Sequence, residues 1–221
     1  MSTSSGGKSR ISVVIPAYNE ATRIGDVVRA ALAVADEVIV VDDGSDDDTA
    51  LVAEAAGAQA VRQANAGYIA AVKRGFRQAH GDVVVTMDAD GEHRAEYIPC
   101  LVAPIMEGRA DLVLGRRRRI ARPSERFLNW LTRLQVRQVH DTGTGFRALR
   151  RELALKLHLR GRCICGVSVL EPVALGARVA EVPIELAHVQ KPRRIAWFHL
   201  PQAWYVLGWL IGSQKKERAR T

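Results

Sequence analysis

The stretch Val83–His93 runs from an apolar, β-branched segment into the acids Asp88, Asp90 and Glu92. Such a run predicts a buried parallel strand whose carboxyl end presents its acids to a ligand. Two carboxylates separated by one residue suit Mg²⁺ or Mn²⁺, and that ion in turn suits a diphosphate. We therefore assign Asp88 and Asp90 to catalysis and metal binding, with Glu92 or His93 as a further ligand.

Two earlier strand ends are also polar or acidic. Strands are predicted over 11–16, 37–41 and 59–62, with helices over 21–35, about 49–56 and 68–79 following them. Asn19 is expected to cap the first helix. This β-α-β alternation predicts an α/β fold with a doubly wound, mostly parallel sheet and helices on both faces. The polar strand ends then meet at one edge and form a pocket with acids at its base.

The second half of the chain continues the alternation and is rich in arginine. Helices are predicted over 96–106, 124–138, 151–159 and 169–176, strands over 111–115 and 180–184, and a small-residue loop over 141–147. Arg116 to Arg119 follow the 111–115 strand directly. A run of four arginines is open to interpretation as a solvated loop or a nucleic-acid patch. Its place at the same edge as the acids favours an anionic ligand.

Charge is distributed unevenly along the 221 residues, of which 48% are hydrophobic and 25% charged. Residues 1–111 carry 10 Lys and Arg against 17 Asp and Glu, whereas residues 112–221 carry 22 against 7. Length and composition fit one globular domain. The charge asymmetry predicts a metal site in the first half and contacts with phosphates, nucleic acid or anionic lipid in the second.

Cysteine usage and the chain termini set further limits. Cys100, Cys163 and Cys165 have no framework spacing, which argues against a disulfide scaffold and favours a reducing, cytoplasmic setting. Residues 1–10 lack the apolar core of a signal peptide and are expected to form a disordered tail. We expect the main domain to span residues 11–190 and a basic, aromatic segment to occupy residues 191–221.

Residues 195–212 carry no formal charge and are flanked by basic residues. Trp197, Leu200, Trp204 and Leu207 follow the spacing of one face of an amphipathic helix. The segment is short and aromatic for a transmembrane span, which needs about 20 apolar residues. Two interpretations stay open: a helix lying in the interface of a membrane, or a helix packed on the core or on a partner subunit.

Four motifs together carry a family resemblance. They are Val14–Glu20 (VIPAYNE), Val41–Thr49 (VDDGSDDDT), Asp88–Gly91 (DADG) and Asp141–Arg147 (DTGTGFR). In order and spacing they resemble family 2 glycosyltransferases, and among these the dolichyl- or polyprenyl-phosphate mannosyl- and glucosyltransferases. The resemblance covers residues 11 to about 186. It implies the GT-A fold, a Rossmann-like α/β architecture, followed here by the C-terminal amphipathic segment.

The resemblance also implies roles on the nucleotide side of the site. Pro16, Tyr18 and Glu20 border the nucleotide. Asp43 hydrogen-bonds the base, which leaves uracil and guanine both open, and Asp42 lies beside it.

The remaining implied roles concern the diphosphate, the metal and the acceptor. Asp88 lies near the ribose and diphosphate, and Asp90 holds Mg²⁺ or Mn²⁺ with Glu92 where many relatives carry Gln. Arg116 or Arg117 faces phosphate. Apart from the resemblance, we assign four further basic residues to substrate binding: Arg147, Lys191, Arg193 and Arg194.

The implied reaction is an inverting transfer of a hexose from a nucleotide sugar of the GDP-mannose or UDP-glucose type to a polyprenyl phosphate. The leaving nucleoside diphosphate needs a metal and fixed cations. A phosphate acceptor is already anionic, so it needs arginines rather than a strong base. Glu171 is the one acid of the second half placed to act as a base, and a structural role for it is preferred.

Two alternatives remain for the function. The enzyme has a soluble or protein acceptor, or the chain is a non-catalytic basic module that has kept the fold. With a polyprenyl phosphate as acceptor, we expect a peripheral protein at the cytoplasmic face of a membrane. We expect no nucleic acid as partner.

Overall fold

The computed structural model describes residues 9–120, 122–161, 163–187 and 201–209. Within these residues seven strands form one sheet: β1 (Ile11–Ala17), β2 (Glu37–Asp42), β3 (Gln59–Arg62), β4 (Val83–Thr86), β5 (Leu112–Arg117), β6 (Arg147–Arg150) and β7 (Val179–Ile184). Their order across the sheet is β3-β2-β1-β4-β6-β5-β7. The helices are α1 (Ala21–Leu32), α2 (Thr49–Ala55), α3 (Tyr68–Gln78), α4 (Ile98–Met106), α5 (Pro123–Arg133), α6 (Arg151–Lys156), α7 (Val167–Ala174) and α8 (201–209), with a 3₁₀ turn at Ala95–Tyr97 before α4.

The sheet is mostly parallel, as the sequence predicts. Strand β6 is the exception, because it pairs antiparallel with both β4 and β5. An antiparallel strand begins at the edge where its parallel neighbours end. The loop over 141–146 and the first residue of β6, Arg147, are therefore delivered to the carboxyl edge of the sheet, where ligands bind in open α/β sheets.

Alternating apolar side chains bury both faces of the sheet. In β1, Val13 and Ile15 pack into one layer with α1, α2 and α4, whereas Val14 packs into the opposite layer with α3 and α5 to α8. Strand β2 divides in the same way, with Val38 and Val40 on one side and its other valine and isoleucine on the other. The period of two along each strand thus fixes which helices cover which face.

Asn19 is not the cap of α1, and the prediction that it caps the helix is wrong. Glu20 occupies that position, and Asn19 has a left-handed backbone with φ of 55°. The Asn19 amide group serves a different purpose, since its Oδ1 accepts the backbone N–H of Asp46 at 2.9 Å. Asn is among the few non-glycine residues that adopt this conformation readily.

Helix α8 belongs to the C-terminal segment, and its buried side differs from the predicted apolar face. Gln202 and Val206 are fully buried, whereas Trp204 is 77% exposed. Residues 1–8, 188–200 and 210–221 lie outside the described residues, so the expected tail and the rest of the segment stay predictions. Among the helices of the described ranges, a membrane-spanning candidate is absent.

Candidate active site

The turn after β1 donates three backbone hydrogen bonds to side chains of the segment that follows β2. The Asn19 N–H donates to Ser45 Oγ at 2.9 Å, and the Glu20 N–H donates to Thr49 Oγ1 at 2.8 Å. Asp47 accepts the Ala21 N–H at 3.1 Å. The two loops whose motifs predicted a nucleotide site are therefore held as one unit at the carboxyl edge.

The three residues assigned to the nucleotide border differ in exposure within this unit. Pro16 is buried in β1, Tyr18 is 48% exposed, and Glu20 pairs with Arg23 at 3.2 Å. An exposed ring above a rigid turn is available to a planar ligand. The structure places all three at the expected edge.

Asp43 is nearly buried and accepts three hydrogen bonds from the segment before α3. Its Oδ1 accepts Gln63 Nε2 at 2.7 Å and the Ala66 N–H at 2.8 Å, and its Oδ2 accepts the Gly67 N–H at 2.8 Å. An ionised carboxylate has about four acceptor positions. Asp43 therefore retains about one position for a ligand, and it lies on Oδ2.

Asp42 is held just as firmly, but by its own loop. Its Oδ1 accepts the backbone N–H of Ser45 at 2.9 Å and the Ser45 hydroxyl at 2.5 Å. The side chain of Arg62 approaches its Oδ2 at 3.9 Å. Asp42 therefore shapes the loop that presents Asp43.

Asp88 is positioned from three sides. The Tyr68 hydroxyl donates to Asp88 Oδ1 at 3.0 Å, and His93 Nδ1 accepts the Asp88 backbone N–H at 3.0 Å. On the third side lies Gly145, where an added Cβ would approach Asp88 Oδ1 to 2.5 Å. The Asp88 side chain keeps 32% of its surface exposed, so it remains open to a ligand.

Burial and charge fix the protonation states around Asp88. Burial, with the nearby Arg117 and Arg147, lowers the pKa of His93 against the opposing effect of Asp88. Burial and the Asp88 carboxylate raise the pKa of Tyr68 well above its ordinary value. The tyrosine therefore stays a hydrogen-bond donor, and the neutral His93 ring, stacked on Phe146 at 5.0 Å, uses Nδ1 as an acceptor. His93 thus positions Asp88 rather than presenting that nitrogen to a metal.

Asp90 and Glu92 form the outer turn of the same loop. Asp90 Oδ1 accepts the Glu92 N–H at 2.9 Å, and the Glu92 carbonyl accepts the Ala187 N–H at 2.8 Å. In the described part of the chain, no group of three or more His, Cys, Asp or Glu side chains is arranged to hold an ion. Mg²⁺ is usually bound by one or two carboxylates together with substrate phosphates. Asp88 and Asp90 are the carboxylates of this loop that could hold an ion bound in that way.

The two arginines at the end of β5 have opposite environments. Arg117 Nε and Nη2 donate to Asp141 at 2.7 and 2.8 Å, and Nη2 also donates to Glu125 at 2.8 Å. Although burial opposes it, Asp141 and Glu125 raise the pKa of Arg117. Arg116, the preceding residue, is exposed. Arg117 thus anchors the 141–146 loop, whereas Arg116 faces the solvent-accessible edge.

Arg147 is 3% exposed and lies beneath the site rather than on its surface. Its guanidinium donates to Ser168 Oγ and to the Thr144 carbonyl, and burial lowers its pKa. Glu171 is likewise structural, because its carboxylate accepts the backbone N–H groups of His158 and Leu159 at 2.6 and 2.9 Å. The preferred structural role of Glu171 agrees with these contacts.

A cleft of about 260 Å³ opens between the ends of β5 and β7. Arg116 and Arg118 line it together with Tyr97, Glu185 and the end of β7. The Ala187 to Glu92 hydrogen bond ties the chain that follows the cleft residue Glu185 to the Asp90 loop. Lys191, Arg193 and Arg194, which were also assigned to substrate, lie outside the described residues.

Tyr68, Glu125 and Asp141 are functional-site residues that the sequence reasoning did not assign. Tyr68 opens a helix and has no spacing relation to Asp88. Asp141 stands at the start of the glycine-rich motif, so the motif marked its loop but not its arginine partner. For Glu125, the one signal in the sequence was that it is the single acidic residue of a helix that contains several arginines, which indicates an ion pair.

Comparisons with known proteins show what the chain is similar to. The Glycosyl transferase family 2 model matches residues 12–168. The dolichyl-phosphate hexose transferase of Haloferax volcanii is 34% identical over 189 residues, which is 79% of this chain and 81% of that protein. The undecaprenyl-phosphate 4-deoxy-4-formamido-L-arabinose transferase of Shewanella sediminis is 33% identical over 175 residues, which is 70% of this chain. The matched part spans 53%, about half, of the length of that relative.

A solved structure is similar over most of the chain. It is glucosyl-3-phosphoglycerate synthase from Mycobacterium tuberculosis in complex with Mn²⁺, UDP-glucose and phosphoglyceric acid. The TM-score is 0.77 at 28% identity, covering 90% of this chain and 78% of that one.

Proposed function

Because the chain belongs to glycosyl transferase family 2, we propose that it moves a hexose from a nucleotide sugar to a polyprenyl phosphate, with inversion at the anomeric carbon. The observation that carries this proposal is the arginine-lined cleft whose β7 side is tied to the Asp90 loop by the Ala187 to Glu92 hydrogen bond. Guanidinium groups bind phosphate bidentately. The names of the Haloferax and Shewanella relatives support a lipid-phosphate acceptor.

The nucleotide occupies the unit formed by the first two loops. Tyr18 lies over the base and Asp43 accepts a hydrogen bond from it. Since Asp43 has about one acceptor position left, a base with a single N–H at its pairing edge is favoured. Uracil offers N3–H, whereas guanine offers donors at both N1 and N2. We therefore favour a UDP-sugar, which agrees with the UDP-glucose bound in the Mycobacterium structure.

Asp90, with Asp88 and Glu92 beside it, would hold Mg²⁺ or Mn²⁺ that enters with the diphosphate. A bound divalent ion supplies stabilisation of the negative charge that develops on the leaving group. Asp88, held by Tyr68, orients the ribose and diphosphate. Arg116 binds the acceptor phosphate and aims its oxygen at the anomeric carbon. No strong base is needed, because that oxygen is already anionic.

A second acceptor class is favoured by one observation. The similar solved structure holds phosphoglyceric acid, a small phosphorylated acid, together with the nucleotide sugar. The same cleft, with Arg116 and Arg118, offers the charge that such a molecule needs. A lipid phosphate and a soluble phosphate therefore share the binding chemistry and differ in where the product is found.

A transfer assay separates these acceptors. Purified protein, Mn²⁺ and labelled UDP-glucose or GDP-mannose are offered either polyprenyl phosphate in detergent or 3-phosphoglyceric acid. We expect label in the organic phase with polyprenyl phosphate, with UDP-glucose as the better donor. Label found only in a water-soluble product would show that the acceptor is the soluble phosphate and not the lipid. Absence of transfer to both acceptors would contradict the proposal.

If the acceptor is a lipid phosphate, the protein works at a membrane surface. We place it peripherally at the cytoplasmic face, where nucleotide sugars are available. This placement applies only if the acceptor is a lipid phosphate, so the transfer assay tests it as well.

A further inference from the structure

The outer face of α5 is aromatic. Phe127, Trp130 and Leu134 are 50%, 56% and 59% exposed and follow one another at three- and four-residue spacing along one side of the helix. The rings of Phe127 and Trp130 stack with centroids 5.8 Å apart. The opposite side of the helix packs Leu128 and Leu131 into the core. The helix is therefore fixed, and its exposed apolar side has no covering element among the described residues.

The same face is basic. Arg126 and Arg133 are exposed on α5, and Arg137 is exposed in the turn that follows. Between residues 123 and 140 the one carboxylate is Glu125, which is 7% exposed and paired with two arginines. The exposed side chains of this segment thus combine aromatic rings and guanidinium groups, and the segment itself has no accessible acid.

We propose that this α5 face docks the protein on an anionic phospholipid surface. Amphipathic helices with aromatic residues on one side and basic residues around them lie in the headgroup region of bilayers. Tryptophan is enriched at that depth, and each basic residue near an anionic leaflet adds to the attraction. The three exposed arginines of the segment, with its one acid buried, favour an anionic lipid over a surface of mixed charge.

Helix α8 extends the argument to a second aromatic surface. Its Trp204 and Tyr205 are 77% and 47% exposed, while Val206 is buried in the layer that contains α5. An added Cβ at Gly166 would lie 2.8 Å from Val206 and 3.0 Å from Thr132 of α5. The two helices thus share one close-packed junction, and each carries exposed aromatic residues.

The docking face is connected to the candidate active site. Glu125, in the first turn of α5, accepts a hydrogen bond from Arg117 at the end of β5. The buried side of α5 is thus joined to the end of β5, while its exposed side remains available for docking. The inference rests on the membrane placement of the proposed function and names the surface that makes the contact. Binding to a lipid surface requires neither a sugar donor nor an acceptor, so it is tested separately from transfer.

Vesicle sedimentation tests this inference with the full chain and no substrates. We expect the protein to sediment with vesicles of phosphatidylcholine and phosphatidylglycerol and not with phosphatidylcholine alone. The double variant Phe127→Ala/Trp130→Ala should lower the partition coefficient about tenfold or more, and Arg133→Gln should lower it about fivefold. Matched controls at exposed sites on other helices, Leu51→Ala/Leu155→Ala and Arg77→Gln, should leave it unchanged.

Three measurements make the outcome decisive. Circular dichroism checks that the double variant is folded, and Arg133→Gln supplies the test if it is not. Light scattering detects the alternative in which the face joins two copies of the chain. Unchanged vesicle binding by the α5 variants, or a dimer that the double variant dissociates and that does not bind vesicles, would overturn the inference. A transfer assay with an acceptor dissolved in detergent stays independent of both results.

Discussion

At the scale of single residues, the site depends on how Asp88 is held. Its backbone is fixed by His93 and its carboxylate by Tyr68, and Gly145 leaves the space that both Asp88 oxygens occupy. The strand pattern predicted where Asp88 would lie. It could not predict Tyr68, which comes 20 residues earlier and meets Asp88 only because α3 packs beneath the same edge.

Removing the Tyr68 hydroxyl should weaken the reaction more than the fold. Tyr68→Phe loses one hydrogen bond to a carboxylate, so we expect a stability loss of about 1 kcal/mol in urea unfolding. The kcat/KM for the sugar donor should fall about 10- to 100-fold, the range seen when a partner that orients a binding carboxylate is removed. Equal kcat/KM for Tyr68→Phe and wild type would show that Asp88 needs no such support.

Gly145 should not tolerate a side chain. In Gly145→Ala the new Cβ meets Asp88 at 2.5 Å, and relieving that contact moves either the carboxylate or the loop. We expect a loss of about 1–3 kcal/mol in unfolding free energy together with loss of transfer. Gly208→Ala is the control, since an added Cβ there meets nothing within 4 Å. A fully active Gly145→Ala protein would contradict the close packing of this loop on Asp88.

At the scale of elements, the end of β5 separates two functions by strand alternation. Successive side chains of a strand point to opposite faces, so Arg117 turns to Asp141 and Glu125 while Arg116 turns to the cleft. The four-arginine run indicated an anion site but not which arginine serves it. That choice depends on acids 8 and 24 residues further along the chain.

The two arginines should therefore respond differently to the same substitution. Arg117→Gln leaves the fully buried Asp141 without its cation, and we expect a loss of about 3–5 kcal/mol in unfolding free energy. Arg116→Gln should leave stability within about 0.5 kcal/mol of wild type but raise the KM for the acceptor. Denaturation and transfer kinetics measured on both variants check this. Similar stability losses in the two proteins would remove the distinction.

A second ion-pair cluster joins the opposite ends of β5, β6 and β7. Asp111 accepts hydrogen bonds from Arg178 at 2.9 and 3.1 Å and from Arg150 at 3.0 Å. The Arg178 and Arg150 hydrogen bonds outweigh the opposing effect of burial and hold the pKa of Asp111 below its ordinary value. A carboxyl group with a depressed folded-state pKa stabilises the fold above its unfolded pKa, and this stability is lost as the pH falls toward the folded value.

Asp111→Asn should accordingly destabilise the protein most at neutral pH. The difference from wild type in the urea midpoint should shrink at pH values below about 4, where the unfolded carboxyl group takes up its proton. Urea unfolding at pH 7 and at about pH 3.5 measures this. A difference that is equal at both pH values would mean that the charge of Asp111 is not what joins the three strands.

At the scale of the whole molecule, the architecture was more predictable than the contacts. Period-two apolar runs and intervening helical segments predicted the parallel strands and the cover on both faces, and the fold confirms them. The antiparallel pairing of β6 was not predictable. The strand has only four residues, Arg147–Arg150, and it lies between β4 and β5, which come from distant parts of the chain. That insertion is what brings the 141–146 loop under Asp88.

For the candidate site too, the location was predictable from the sequence and the contacts were not. The resemblance named residues that the fold does bring to one edge, from Tyr18 and Asp43 to Asp90 and Arg116. Sequence reasoning could not separate surface from interior, and Arg147, which we assigned to substrate, has its side chain buried beneath the loop. Burial is set by packing of β6 against its neighbours, which no local pattern in the sequence encodes.

The central claim is that the carboxylate of Asp90 supports metal-dependent transfer. The most direct test compares transfer by Asp90→Asn with transfer by the wild type, with and without the divalent ion. The asparagine keeps an oxygen for the Glu92 N–H, so the loop is preserved while the charge is removed. We expect wild-type transfer to need Mn²⁺ or Mg²⁺ and to fall at least about 100-fold in the variant. Asp82→Asn, at the other end of β4, should retain activity. Transfer that is unaffected by Asp90→Asn or by removal of the divalent ion would contradict the proposed site.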